Sequence, residues 1–357
     1  MLPLVVNVVL ICLYASVRLR CSVAAVNKPK NNSLPAVIAF GDSFVDSGNN
    51  NFRVTLAKAN FYPYGKDFMG GKPTGRFTNG KTLADTIAAK LGVMDYLPAY
   101  LDPSLQNEDI IRGVSFASGS SGFDPLTGRL LNVFSILDQI EMFKEYIVKL
   151  KGIVGDKEAN DIIQKSLYLV SWSSNDWGIS YTALPIRAVQ YDVPTYATFL
   201  VKKATEFIQE MHKLGARKMI FFNTPLIGCF PLARTIAGGV IRKCGDLFNE
   251  EAQIFNRMLN RQIQFLSSSL PQSRFIVTDY FKILQEIIDN SLQYGFEVVD
   301  HGCCGTGVVE VAVLCNKLSP LCPDVTKYLY WDSLHLTEKG YSIVVDHALE
   351  DMMNILV

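Results

Sequence analysis

An α/β fold with a central parallel sheet covered by helices is predicted by two features of this sequence. Short apolar runs rich in Val, Ile and Phe alternate with longer segments of helical period. Each short run empties into polar or glycine-containing loop residues, as strands of an open sheet do at their functional edge. No repeat, low-complexity tract or linker divides the chain after its first 25 residues, so one domain over residues 26–357 is expected.

The first strand is Ala36-Val37-Ile38-Ala39, which runs without a gap into Phe40-Gly41-Asp42-Ser43. Phe61 to Asn79, rich in Gly and Pro with interleaved aromatics, reads as a long surface loop able to wall a cleft. Thr82 with Asp85 resembles a capping pair and opens a helix from Leu83 to Leu91. Ile110 to Phe116 is the second strand candidate, and Ile136, Ile140, Phe143, Ile147 and Leu150 mark the next helix. Leu167 to Val170, Lys218 to Phe222 and Arg274 to Val277 are the remaining strands. Helices fall between them, one through Leu200, Ala204, Phe207, Ile208, Met211 and Leu214, stopped by Gly215. The other runs through Ala252, Phe255, Leu259, Ile263 and Leu266, and a last helix through Tyr341, Val344, Val345 and Leu349 takes Thr337 as N-cap.

The chemistry concentrates at two places. Ser43 stands at the end of the first strand, and Asp332-Ser333-Leu334-His335 sets a carboxylate three residues before an imidazole. A serine hydroxyl becomes a competent nucleophile when a base takes its proton, and imidazole does this near neutral pH. A carboxylate on the other ring nitrogen fixes the tautomer and stabilises the imidazolium, so hydroxyl, base and orienter are all present. Of the four histidines, His212 and His347 lie in helices and His301 neighbours a cysteine cluster, which leaves His335 as the favoured base. Attack on a carbonyl creates an oxyanion that needs preorganised donors. Two strand-end segments offer them, Phe116-Ala117-Ser118-Gly119-Ser120-Ser121-Gly122 and Ser173-Ser174-Asn175-Asp176. Gly113-Val114-Ser115-Phe116-Ala117 approximates a Gly-x-Ser-x-Gly elbow, but Ser115 falls inside a strand-like run and Ala replaces the last Gly.

Lysine plus arginine and aspartate plus glutamate stand at 34 each, so charge points neither to nucleic acid nor to an anionic membrane surface. Leu2 to Val17 is uncharged and apolar, a little short for a bilayer span, and Cys21-Ser22-Val23-Ala24-Ala25 follows with small residues. Residues 1–25 are therefore expected to be a cleaved secretory signal, which places the mature chain outside the cell. Two of the 8 cysteines fall in that leader, and the other six, Cys229, Cys244, Cys303, Cys304, Cys315 and Cys322, are expected to form disulfides. Cys229 is expected to join Cys244, and adjacent Cys303 and Cys304 to pair with Cys315 and Cys322 in an order left open. A zinc site around His301 is the rival reading, but no Cys-x-x-Cys spacing supports it. Asn31-Asn32-Ser33 is a candidate glycosylation sequon.

In this order, Gly41-Asp42-Ser43, Gly119, Asn175 and Asp332-x-x-His335 resemble the four blocks of the GDSL esterase/lipase family, the SGNH hydrolases. Phe40 to Asn50, Gly75-Arg76-Phe77-Thr78-Asn79-Gly80, Val114 to Gly122, Ile227 to Pro231 and Cys303 to Gly307 resemble its plant branch, of extracellular lipase type. The resemblance implies a three-layer α/β/α, flavodoxin-like domain. It implies hydrolysis of a carboxylic ester through an acyl-serine, without metal or organic cofactor. Ser43 would be nucleophile and first oxyanion donor, Gly119 the second donor, Asn175 the side-chain donor, His335 the base and Asp332 its orienter. For a plant chain the location would be the apoplast or cell wall. Two positions depart from the third block: Ser173 stands where Gly is usual and Trp172 where a small residue is common. Leu336, where Pro often follows the histidine, is a milder departure. Bulk beside Asn175 motivates a second reading, a binding module of this fold with little turnover, and acyl transfer to an alcohol would use the same site.

Overall fold

The computed structural model describes residues 34–309 and 315–356. The expected leader (residues 1–25) and Asn31 lie outside them. Four parallel strands, β1 (Val37–Gly41), β2 (Leu167–Ser171), β3 (Lys218–Phe222) and β4 (Arg274–Thr278), form a sheet in that spatial order. Residues 114–118 run along the free side of β1: Ala39 N donates to Val114 O, Phe116 N to Ala39 O and Ser118 N to Gly41 O. Counting this segment as second in the chain, the order becomes 2-1-3-4-5, that of flavodoxin-like sheets.

The register explains the layers. Phe40, Val170 and Phe221 are partners across β1, β2 and β3 and so share one face, while Phe222 points to the other. Phe40 meets Phe143 of α4 (Ile136–Val154) and Phe207 of α6 (Val193–Lys213). Phe222 meets Tyr280, which opens α9 (Tyr280–Asp289), and Tyr280 and Tyr341 of α10 (Glu338–Leu356) both pack on Phe44. Helices thus cover both faces, and β1 and β2, in which every residue is buried, read as nearly unbroken apolar runs. The remaining helices are α1 (Leu83–Lys90), α2 (Asn107–Arg112), α3 (Pro125–Leu130), α5 (Asp156–Lys165), α7 (Pro231–Ala237) and α8 (Asp246–Ser269). Thr82 and Asp85 form the expected capping box on α1. Thr337 Oγ1 accepts from Gly340 N at the start of α10, as an N-cap does. A two-stranded parallel sheet, β5 (Val298–Gly302) with β6 (Tyr328–Tyr330), leads directly to Asp332.

Two expectations are corrected. The strand expected over Ile110 to Phe116 is instead helical to Arg112 and extended only from Val114. Asn107-Glu108-Asp109 make an acidic first turn, the Asp109 carboxylate accepts from Gln106 N at 2.9 Å, and this end chemistry outweighs the β preference of Ile110-Ile111. Gly113 then turns the chain at φ 113°, where a Cβ would stand 1.9 Å from Val37 O. The loop Phe61 to Asn79 is irregular as expected, but it is not all surface: Tyr64, Arg76, Phe77, Thr78 and Asn79 are buried. Buried backbone needs partners. The loop supplies them itself, with Gly65 N on Thr78 O and Asp67 N on Asn79 O.

The disulfides are Cys229–Cys244, as expected, and Cys303–Cys322 with Cys304–Cys315, which resolves the open order. All six cysteines are therefore consumed, and His301 pairs with Asp300 at 2.7 Å. No helix among the described residues is long and apolar enough to cross a membrane.

Candidate active site

The end of β1 is held from three sides. Gly41 N donates to Gln139 Oε1, Gly41 O accepts from Ser118 N, Ser121 Oγ and Gln139 Nε2, and Asp42 N donates to Ser171 O. A Cβ on Gly41 would lie 2.3 Å from Ser171 O, so only glycine lets the chain leave the sheet here. Asp42 Oδ1 accepts from Phe44 N and closes the turn that lifts Ser43. Burial pushes the Asp42 carboxyl well above its usual range, against the opposite pull of the Phe44 N–H.

His335 arrives from the other end of the sequence. Its Nε2 lies 2.8 Å from Ser43 Oγ, and its Nδ1 lies 2.8 and 3.0 Å from the two Asp332 oxygens. A carboxylate can only accept, so the ring proton sits on Nδ1 and Nε2 is left to accept from the Ser43 hydroxyl. Asp332 Oδ1 also accepts from Leu334 N and His335 N, both at 2.8 Å. Burial would raise the Asp332 carboxyl, but the charge and hydrogen bonds of His335 and the two backbone donors bring it below the ordinary value. The loop is fixed from outside as well. Cys303 N and Cys304 N donate to Tyr330 O and Trp331 O, and a Cβ on Gly302 would lie 2.7 Å from Asp332 O. The two disulfides at Cys303 and Cys304 thus brace the strand just before the carboxylate. The imidazole packs against Phe77, with centroids 5.2 Å apart, and Phe44.

The other candidates fall away from this cluster. His212 Nε2 bonds Pro271 O, and the His347 ring lies against Tyr294. Ser115 is fully buried with its hydroxyl on Val45 O.

The segments expected to supply oxyanion donors are adjacent. Asn175 Nδ2 donates to Ser121 O at 3.0 Å, which uses one of its two protons. Ser118 to Ser121 form a turn, with Ser121 N on Ser118 O and Ser120 at φ 68° in the position where a type II turn favours Gly. Gly119 N donates to Asp46 Oδ2 at 2.8 Å. Asp46 also accepts from Gly48 N and Asn49 N, and burial pushes its carboxyl up to about 6 against those donors. The N–H groups of Ser43 and Ser120 make no hydrogen bond among the described residues. A Cβ on Gly119 would sit 2.5 Å from the Phe77 ring, the ring that packs on His335.

A hydroxyl on an imidazole, the imidazole on a buried carboxylate and unengaged donors at neighbouring strand ends meet the requirements for acyl transfer. The family model for GDSL-like lipase/acylhydrolase matches residues 37–348. The chain belongs to this family. The GDSL esterase/lipase At5g42170 of Arabidopsis thaliana is 47% identical over 330 residues, covering 92% of this chain and 89% of that one. The GDSL esterase/lipase EXL3 of the same plant is 44% identical over 348 residues, covering 97% and 95%. Among solved structures, this chain is similar to Axe2, an acetylxylan esterase from Geobacillus stearothermophilus, with 91% of this chain and 96% of that one covered at 13% identity and a TM-score of 0.40. The chain is thus a serine ester hydrolase of the GDSL type.

In this GDSL hydrolase the two departures in the third block are accommodated. Trp172 is buried beside Phe123 and Phe207, with its indole N–H on Ser121 Oγ, and so braces the carbonyl-bearing residue that Asn175 bonds. Ser173 takes φ 111°, a conformation that favours Gly, and its hydroxyl shares a 2.6 Å hydrogen bond with Thr224. Ser173→Ala keeps the strained backbone and loses the bond, so it should lower stability by about 1–2 kcal/mol. Ser173→Gly should cost less, because relief at φ offsets the lost bond; urea unfolding midpoints of the two variants check the order.

Sequence reasoning missed Asp46 and Phe77 as parts of the site, and it read Tyr64 only as an aromatic able to line an acyl groove or pack in the core, not as a partner of Asp332. Asp46 and Phe77 lie within motifs quoted above, yet no spacing rule says which side chain a turn N–H or an imidazole will meet. Tyr64 is one aromatic among several in its loop.

Proposed function

We propose that this GDSL hydrolase is an exported esterase that cleaves carboxylic acyl esters with Ser43 as nucleophile, His335 as general base and acid, and Asp332 as orienter. The observation that carries this reading is the 2.8 Å contact of Ser43 Oγ with His335 Nε2, continued by Nδ1 onto Asp332. Ser43 Oγ attacks the carbonyl carbon while its proton passes to Nε2, giving a tetrahedral oxyanion. Collapse breaks the bond to the alkoxy oxygen, which leaves as the alcohol with the proton from Nε2. Water then attacks the acyl-serine, gives its proton to Nε2, and the acid is released as Ser43 regains its hydrogen. The oxyanion is held by the Ser43 N–H, the second amide proton of Asn175 and the turn expected to act through Gly119. Because Asp46 holds the Gly119 N–H, we assign that donor to Ser120 instead.

Three disulfides support a protein made for an oxidising compartment, and residues 1–25 would direct it there before 26–357 act as one domain. The test is purified residues 26–357 assayed against esters of graded acyl length and acetylated sugars. Turnover of at least one class, inhibited by a fluorophosphonate, is expected. An intact protein that turns over none and never labels would overturn the proposal.

A further inference from the structure

Tyr64 stands 268 positions from Asp332 in sequence, yet its hydroxyl lies 2.7 Å from Asp332 Oδ2. That oxygen is the nearer partner of His335 Nδ1, so one lone-pair face receives the imidazole and another receives the phenol. The Tyr64 ring is buried against Phe61, Phe77 and Trp331, the residue just before the carboxylate. Burial and the adjacent Asp332 charge hold the phenol far above its usual range, so it remains a donor across the working pH. Its loop reaches the base too: Phe77 lies over His335 and Thr78 Oγ1 donates to Leu336 O.

We propose that Tyr64 is a positioning residue for hydrolysis, acting through Asp332 to fix the plane of the carboxylate that orients His335. This rests on the reading of Ser43, His335 and Asp332 given above. Asp332 Oδ1 is already held by two backbone N–H groups, whereas Oδ2 has only His335 and Tyr64 among the described residues. Without the phenol, Oδ2 is held by the imidazole alone and the plane of the carboxylate is less firmly fixed, and a small misplacement of the imidazole is felt in the rate. The same donor disperses charge from Oδ2, which favours leaving the proton on Nδ1 as imidazolium character develops.

The test is Tyr64→Phe, which keeps the ring packing, compared with Asp332→Asn and the double variant. Tyr64→Phe is expected to lower kcat about tenfold with KM unchanged and the thermal midpoint nearly retained. In the Asp332→Asn background the same substitution should change kcat less than twofold, because the group it acts through has gone. An equal loss in both backgrounds, a loss confined to KM, or no loss at all would overturn the proposal. Ser43→Ala and His335→Ala are measured alongside: if they retain activity, the underlying site reading fails, whereas their inactivity with an unaffected Tyr64→Phe sinks only the role of Tyr64.

Discussion

Ser43→Ala is expected to reduce ester hydrolysis by about 10⁴-fold or more while leaving the fold intact. The magnitude follows from what the hydroxyl alone supplies. With no atom to form the acyl intermediate, the remaining donors can only polarise a bound ester for direct attack by water, which gives small residual rates. The fold survives because Ser43 Oγ bonds only His335 Nε2 among the described residues, and β1 is secured through Gly41 and Asp42 instead. Circular dichroism and the thermal midpoint should therefore match the wild type while kcat collapses. His335→Ala should fall to a similar floor, and the double variant no further, since the two groups act as one unit.

The largest loss of stability is expected from Arg76→Met. The Arg76 guanidinium donates to both oxygens of Asp85, at 2.7 and 2.9 Å, and both side chains are buried. Arg76 also reaches Ser47 O and Leu97 O, and so ties the cleft loop to the segment after Ser43. Burial would raise the Asp85 carboxyl, but the charge and hydrogen bonds of Arg76, with those of Thr82, hold it below the ordinary value. Removing the cation leaves a buried carboxylate unpaired, a change that costs about 3–5 kcal/mol.

The sign with pH follows. In the wild type Asp85 is depressed, so its contribution is present above the unfolded value near 3.9 and fades as pH falls through the lower folded value. In the variant the carboxyl is raised, so ionisation costs stability as pH climbs above about 4. The gap between the two proteins should be widest at pH 7 and shrink below pH 4, read from urea unfolding at both. An equal gap at both would mean that lost packing of Arg76 on Phe68, and not the charge, dominates.

The legible parts of this protein were those in which local sequence and tertiary demand agree. Lys218 to Phe222 is apolar and buried from Met219 onward, and it forms a strand over those same residues. Asp332 and His335 were readable because three residues is the reach at which a turn lets a carboxylate meet both the backbone and the ring of the histidine. Ile110-Ile111 misled because two β-branched residues speak for a strand while the acidic turn before them and Gly113 after them set a short helix. The contacts of Tyr64 with Asp332 and Asp46 with Gly119 were beyond reach because they join residues far apart in sequence whose meeting is decided by how the loops fold over the sheet. The cysteine order was open for the same reason, since no spacing says which of the adjacent Cys303 and Cys304 meets Cys322 and which Cys315.

The central claim, that Ser43 carries the acyl group, is tested most directly by trapping the intermediate. The protein is mixed with an activated, slowly deacylating ester, quenched in acid after milliseconds to seconds, digested and analysed by mass spectrometry. One acyl adduct is expected, on the Ser43 hydroxyl, appearing at the rate of the burst and absent from Ser43→Ala. Acylation of another residue at that rate, or turnover with Ser43 unmodified at every time point, would contradict the claim.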